Sequence, residues 1–169
     1  MIIEKFNTLF SVKISLISLY LALTIPLPFI SNERLKILSI VLFLLGLFLI
    51  FNITNDYLET SSQKITYKSS LVSKAFGKKD WEILWKDIKL IKSLPTSQGS
   101  NVYYFVTNKD DNYLLPQRLE NFERFLILIT EKTGINVERF SYVSPLWTYN
   151  LLIFLSLLMI VGELIAFLF

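Results

Sequence analysis

The sequence contains neither cysteine nor histidine among its 169 residues. Without cysteine it forms no disulfide, and the two absences together remove the commonest zinc, iron–sulfur and haem ligands. The usual general base of a catalytic triad is missing as well. Glycine is sparse, and its wide spacing excludes a phosphate-binding loop. The five glycines are Gly46, Gly77, Gly99, Gly134 and Gly162. We therefore expect no cofactor, no metal site and no enzymatic activity.

Charged residues are absent from three long segments of the chain. None occurs from Ile14 to Ile30, from Ile37 to Ile53, or from Phe140 to Gly162. About 20 helical residues cross the roughly 30 Å of bilayer hydrocarbon, and each segment comes near this length once its flanks are included. We predict three transmembrane helices, at about residues 14–30, 37–53 and 140–169.

Buried core helices and a signal peptide are both poorer explanations of these segments than transmembrane helices. Buried core helices need a large soluble protein around them, but only about 100 residues remain outside the three segments. A cleavable signal peptide would explain the first segment, with Lys5 and Lys13 as its basic region. However, Pro26 and Pro28 stand where small cleavage-site residues belong. The first two segments are therefore predicted to form a helical hairpin that turns at residues 31–34.

The distribution of positive charge predicts the orientation. Lys5 and Lys13 precede the first segment, and thirteen of the 17 lysines and arginines lie between the second and third. Positive residues favour the cytoplasmic side, although Arg34 and Lys36 in the hairpin turn act in the opposite sense. We predict a multi-pass protein of the cell inner membrane or the thylakoid membrane. Its N-terminus and soluble domain would face the cytoplasm or stroma, with the hairpin turn and C-terminus on the other side.

Residues 55–139 are predicted to form a soluble domain of antiparallel strands followed by one helix. Alternation in Trp81–Trp85 and the β-branched and aromatic residues of Val102–Val106 indicate strands. The polar turn Asn108–Asn112 precedes Tyr113–Leu115, which completes a hairpin. Extended structure is also predicted for Tyr57–Ser61, Ile65–Ser69, Leu71–Phe76 and Ile88–Ile91.

An amphipathic helix is predicted over Gln117–Thr133, because apolar residues recur there at spacings of three and four. Those residues are Leu119, Phe122, Leu126 and Ile129. Gly134 follows as a C-terminal stop. Ser144 and Pro145 supply a capping residue and a first-turn proline for the last span. The predicted domains are therefore 1–54 (N-terminal segment and hairpin), 55–139 (soluble domain) and 140–169 (third span).

A short sheet that ends in one helix, behind two membrane helices, resembles the bacterial pleckstrin-homology-like (PH-like) domain family. The resemblance covers residues 55–135 and depends on apolar spacing. The residues that carry it are Trp85–Ile88, Ile91, Tyr104–Val106, Leu114–Pro116, Phe122 and Phe125. It implies a small antiparallel PH-like β domain with one C-terminal helix. Together with the predicted spans, this gives a membrane α+β protein with a transmembrane hairpin, the PH-like domain and a third transmembrane helix. The plan is also similar to the photosystem I assembly protein family of cyanobacteria and plastids, from which this chain departs by its third span.

Two sets of residues are candidate sites. Lys74, Lys78 and Lys79 surround a turn at which, by the PH-like resemblance, lipid headgroups would bind, and anionic lipid attracts lysine. The alternative is an ordinary solvated turn, in which Asp80 weakens the positive field. Glu163 is the ionisable residue of an apolar segment, and such residues often serve ion or proton movement. The alternative for Glu163 is an interfacial residue or a contact to another helix.

The remaining carboxylate pairs are interpreted as solvated surface, since no base or nucleophile accompanies them. They are Asp110 with Asp111 and Glu120 with Glu123. Nucleic-acid binding is not expected, because the soluble region carries a net charge of only about +2 and its aromatic residues alternate as a core would.

We expect a non-catalytic, membrane-anchored interaction module that acts as a scaffold or assembly factor for a membrane protein complex, with photosystem assembly included. The alternatives are a small transport or ion-coupling subunit that uses Glu163 and an anionic-lipid-sensing PH-like domain. The expected partners are the lipid bilayer and a membrane protein complex. The sequence leaves the oligomeric state open.

Overall fold

The computed structural model describes residues 4–168, which form a mixed α+β structure. It divides into two compact units. The strand unit comprises residues 4–9 and 55–144, and the helical unit comprises residues 10–54 and 145–168. The chain therefore passes between the units at three junctions, after Leu9, Thr54 and Ser144.

The described residues form strands and helices that are named here in chain order. In chain order they are β1 (Glu4–Asn7), α1 (Phe10–Thr24), α2 (Pro26–Ile30), α3 (Glu33–Ile53), β2 (Tyr57–Thr60), β3 (Lys64–Lys68), α4 (Leu71–Ala75), β4 (Trp81–Leu84), a 3-10 turn (Trp85–Asp87), β5 (Ile88–Pro95), β6 (Asn101–Thr107), β7 (Asn112–Leu114), α5 (Phe122–Thr133) and α6 (Leu146–Leu168).

Three helical segments within residues 4–168 are long and apolar enough to cross a membrane. They are Phe10–Ile30, Glu33–Ile53 and Leu146–Leu168. Helix α3 has no fully buried residue, and most of its large apolar side chains are exposed. A helix that is apolar all round finds a suitable solvent in lipid. The predicted apolar helices are confirmed, and they make a membrane location possible.

The ends of these helices differ from the prediction. The first begins at Phe10 rather than at residue 14, and a turn at Ile25 separates α1 from α2. The turn precedes Pro26, which has no amide hydrogen to donate to the preceding turn of helix. Helix α3 begins at Glu33, so the hairpin turn is shorter than predicted. The last helix begins at Leu146, after residues 140–144, which belong to the strand unit.

Helix α1 packs against α3 around one tyrosine. The Tyr20 hydroxyl donates a hydrogen bond to the Phe43 carbonyl (2.8 Å), and the two rings stack with centroids 5.9 Å apart. A Cβ atom at Gly46 would overlap the Tyr20 hydroxyl, so a larger residue here would require the Tyr20 side chain to move. Small residues at helix contacts allow the same close approach in membrane helix bundles.

The strand unit contains two antiparallel sheets. One has the order β1-β2-β3-β4 and the other the order β5-β6-β7. Side chains from both sheets and from α5 form a single core. Its fully buried members include Leu58, Ile65, Tyr103, Phe105, Leu115, Phe122, Phe125 and Ile129. The predicted strands around residues 81–85, 102–106 and 113–115 are present, and Gly134 ends α5 with φ 72° as predicted.

Strand β1 is a feature that the sequence did not reveal. The sequence assigns residues 1–54 to the hairpin region, but Phe6 pairs with Leu58 in the sheet. The Phe6 ring also lies 5.4 Å from that of Phe125, and Arg124 forms an ion pair with Glu4 at 3.0 Å. The apolar hairpin is therefore an insertion between two neighbouring strands of one sheet.

Two further local predictions are wrong. The sequence predicts an extended Leu71–Phe76, but Leu71–Ala75 is a short helix, because Ser70 caps it with a side-chain hydrogen bond from the Ser73 amide. Helix α5 begins at Phe122 rather than at Gln117, after Asn121 in the left-handed region at φ 53°. Leu119 is nevertheless buried, and it lies in a bridge with Thr8.

We expect Phe6→Ala to lower the free energy of unfolding of the strand unit by about 3 kcal/mol or more, because it opens a cavity beneath α5. Phe76→Ala is the matched control, since Phe76 is 73% exposed in the same unit. Urea unfolding of the intact, detergent-solubilised protein, followed by tryptophan fluorescence, measures both. Equal effects of the two substitutions would show that β1 is not part of the sheet.

Candidate functional site

The three predicted lysines lie on one short stretch between strands β3 and β4. Lys74 is in helix α4, and Lys78 and Lys79 follow the turn at Gly77, whose φ of 88° suits glycine. The Gly77 amide donates to the Lys74 carbonyl (2.9 Å), which closes the turn. All three lysines are exposed, as the sequence predicts for this turn.

Carboxylates hold two of the three lysines. Asp80 forms an ion pair with Lys74 (2.8 Å) and also lies 3.8 Å from Lys68. It further accepts a hydrogen bond from the Ser69 amide (2.8 Å). Lys74 and the Ser69 amide together hold the pKa of Asp80 below its usual range. Lys79 makes no ion pair with any residue that the structure describes, so it is the freest cation of the stretch.

Asp56 is the carboxylate that fixes this stretch to the sheets. Its side chain is 9% exposed, and one oxygen accepts from Lys78 Nζ (2.7 Å) and from the Tyr67 hydroxyl (2.8 Å). The other oxygen accepts from the Ser70 amide (2.8 Å), and the Asp56 carbonyl accepts from the Thr8 hydroxyl (2.8 Å). A single residue therefore ties together β3, the start of α4 and the end of β1.

Electrostatics at Asp56 follow from these contacts. Burial raises the pKa of the carboxyl, but the hydrogen bonds from Lys78, the Ser70 amide and Tyr67 outweigh it, so the pKa lies below its ordinary value of 3.8. Burial and the Asp56 charge raise the pKa of Tyr67. Asp56 therefore stays ionised and Tyr67 neutral at physiological pH. No sequence signal points to Asp56, because a lone aspartate between a helix and a strand has no distinctive pattern.

The outward face of the second sheet is the other candidate surface. Register pairs Leu90 with Val106, Leu94 with Val102, and Tyr104 with Leu114, so these side chains share the face opposite the core residue Phe105. Leu90, Leu94 and Leu114 are exposed, and the three β6 side chains are half-exposed. Lys92, the register partner of Tyr104, is the one charged residue that the pairing adds to this face.

Glu163 lies in α6, about 26 Å along the helix from Leu146 at 1.5 Å per residue. Its Oε2 atom is buried and has no hydrogen-bond partner among the described residues. Helix α6 packs against α1. Ser156, which precedes Glu163 on α6, is buried, and so are Ser15, Ser18 and Ala22 on α1. Small residues of this kind permit close helix contact.

The remaining carboxylates do not assemble into a site. Asp110 is 81% exposed in its side chain and lies 3.6 Å from Lys89, and Glu123 is exposed on α5. Within residues 4–168, no three metal-binding side chains gather in one place.

We expect Asp56→Asn to lower the free energy of unfolding at neutral pH by about 1.5–3 kcal/mol, since it weakens hydrogen bonds to a charged acceptor. A folded-state pKa below the unfolded one means that Asp56 stabilises the fold above about pH 4 and that this contribution is lost as the pH falls through the folded pKa. Urea unfolding across this pH range measures the loss in the natural chain, and the variant should lack that component.

Asp110→Asn is the matched control for this prediction, because Asp110 is solvated and asparagine tolerates its positive φ of 61°. It should change the free energy of unfolding by less than about 0.5 kcal/mol. If Asp56→Asn and Asp110→Asn changed the free energy of unfolding equally at every pH, the Asp56 network would not stabilise the fold.

Comparison with known proteins gives one informative relative. No protein-family model matches the chain, so neither the PH-like nor the photosystem I assembly resemblance is confirmed. The uncharacterised protein slr0269 of the cyanobacterium Synechocystis sp. (strain ATCC 27184 / PCC 6803 / Kazusa) is 33% identical over 154 residues. The similarity covers 88% of this chain and 77% of that protein. The chain therefore belongs to the same family as slr0269.

Proposed function

We propose that this protein is a membrane-anchored, non-catalytic interaction module whose strand unit docks a partner protein of a membrane complex. The observation that carries the proposal is the outward face of the second sheet. Leu90, Leu94 and Leu114 are exposed there beside half-exposed Tyr104, and a solvated sheet face normally alternates to polar residues instead.

The composition of this face favours a protein partner over a charged ligand. Cores of protein interfaces are poor in charge and rich in aromatic and aliphatic side chains, and tyrosine is frequent among the residues that carry binding energy. Tyr104 lies on the middle strand, between Lys92 on β5 and Leu114 on β7. A partner with an apolar surface of its own would cover these side chains.

The fold supports a PH-like assignment for the strand unit. Within residues 55–135, six strands of two antiparallel sheets precede helix α5, whose side chains join the core, as the resemblance implies. The N-terminal strand β1 extends this unit beyond the predicted range. The cyanobacterial origin of the relative is compatible with photosystem assembly as the role.

The proposed topology follows from the three chain junctions. If α1–α2, α3 and α6 each cross a bilayer, the junctions after Leu9, Thr54 and Ser144 all lie on one side of it. The strand unit is then held at one leaflet, and the hairpin turn at Ser31 and Asn32 lies at the other. The distribution of lysine and arginine favours the cytoplasm or stroma as the side of the strand unit.

A small transport or ion-coupling subunit is the second candidate function. The observation that favours it is the buried, unpartnered Oε2 atom of Glu163, because a carboxylate in such a place often marks an ion or proton path. Glu163 is, however, the one acidic residue of α6, and an ion or proton path through the bilayer would require further polar groups along the helices. The docking module is therefore the better-supported function.

We expect Leu114→Asp to reduce recovery of the partner complex with the affinity-tagged, full-length protein by about tenfold or more, because it places a charge within an apolar contact. Ile127→Asp is the matched control, since Leu114 and Ile127 are both 50% exposed in the strand unit. Quantitative mass spectrometry of the mildly solubilised complexes gives the ratio. Equal recovery with both variants would contradict docking at the second sheet.

A further inference from the structure

Helix α4 and the turn after it carry the most exposed large apolar side chains among the described residues of the strand unit. Leu71 is 82% exposed and Phe76 is 73% exposed. We call residues 70–79 the α4 tip. Scattered exposed leucines are common in proteins, but a leucine and a phenylalanine this exposed, five residues apart on one turn, need a physical reason.

Hydrogen bonds fix the backbone of the segment that carries Leu71 and Phe76. Ser70 caps α4 through the Ser73 amide (3.1 Å), and the Lys78 amide donates to the Ser73 carbonyl (3.0 Å). The Ser70 and Ser69 amides are held by the carboxylates of Asp56 and Asp80. The backbone contacts of the α4 tip therefore fix Leu71 and Phe76 in exposed positions.

Positive charge surrounds these two side chains. Lys74 and Lys79 lie on either side of Phe76 in the sequence, and Lys68 and Lys78 complete a set of four. Asp56 and Asp80 neutralise part of it, which leaves about two net positive charges. Lys79 has no ion-pair partner among the described residues. Apolar side chains among lysines are the pattern of segments that lie in the interface of a bilayer.

We propose that the α4 tip inserts Leu71 and Phe76 into the headgroup region of an anionic bilayer, while Lys74, Lys78 and Lys79 bind the lipid phosphates. Anionic lipid is the partner that fits both features, since it offers negative charge above an apolar layer. The three apolar helices of the same chain keep a bilayer within reach, which raises the effective concentration of lipid at the tip.

This inference goes beyond the proposed protein docking and uses a different surface. It shares with that proposal the membrane anchoring of the chain, but not the second sheet. An experiment that refutes lipid insertion therefore leaves the docking proposal untouched, because a variant at the α4 tip does not alter Leu114 or Tyr104.

The natural absence of cysteine permits a direct test in the full-length protein. Ala75→Cys, labelled with an NBD fluorophore, places a probe between the two apolar side chains while retaining both. Ile127→Cys, labelled in the same way, is the control on α5. Each protein is reconstituted into vesicles of phosphatidylcholine alone or of phosphatidylcholine with phosphatidylglycerol. The probe's emission, its quenching by aqueous iodide and its quenching by spin-labelled lipid are measured.

We expect the probe at residue 75 to shift to the blue, to lose iodide quenching and to gain lipid quenching in the anionic vesicles only. The probe at residue 127 should remain in water in both. Exposure of residue 75 to iodide in both vesicles would overturn the proposal, and so would equal burial in both, because the lysines would then have no part. Protection from iodide without lipid quenching would indicate a covering protein surface and would also overturn it.

Substitutions in the probe-bearing protein test the two components separately. Leu71→Ser with Phe76→Ser should abolish the blue shift. Lys79→Glu should lower the ratio of inserted to free tips by about fivefold or more, whereas Lys109→Glu changes the net charge equally in a different turn and should leave it unchanged. These four side chains are exposed, so we expect the variants to keep the fold. No difference between Lys79→Glu and Lys109→Glu would overturn the electrostatic role.

Discussion

The pairing of strand β1 with strand β2 is the constraint on which the rest of the structure depends. Four residue pairs join Glu4–Asn7 to Tyr57–Thr60, although the whole helical hairpin lies between them in the chain. Closing so long a loop costs entropy, and the packing of α1 against α3 reduces that cost by holding the two ends of the loop together. The sheet and the hairpin therefore depend on each other, and both junctions of the hairpin return to one sheet.

Asp56 extends this constraint from the sheet to the α4 tip. It is the second residue after the hairpin, and its carboxylate and carbonyl contact Tyr67, Lys78, Ser70 and Thr8. A buried, ionised carboxylate is stable only while these donors surround it. The same network that closes the sheet thus orders the short helix with its exposed apolar side chains. The second sheet lies farther along the chain and carries its own apolar outer face.

Much of this fold follows from patterns that extend over many residues. The apolar helices and strand β6 have long, uniform signals, and the predicted stop at Gly134 depends on a backbone conformation that glycine adopts readily. Strand β1 has four residues and one buried side chain, so it has no periodic signal, and its partner is distant in sequence. The apolar residues of Leu71–Phe76 predict extended structure, whereas the single serine cap at Ser70 favours helix. Of the candidate residues, the lysines follow from charge alone, but Asp56 requires the three-dimensional contacts.

Site-directed labelling tests the central claim, that apolar helices cross a bilayer and return the chain to one strand unit, most directly. Asn32→Cys marks the hairpin turn and Gln98→Cys marks the loop between β5 and β6, in a chain without natural cysteine. Sealed, right-side-out vesicles are treated with a membrane-impermeant maleimide before and after lysis. The account predicts that residue 32 reacts before lysis and residue 98 only after it. Reaction of both residues before lysis would contradict it.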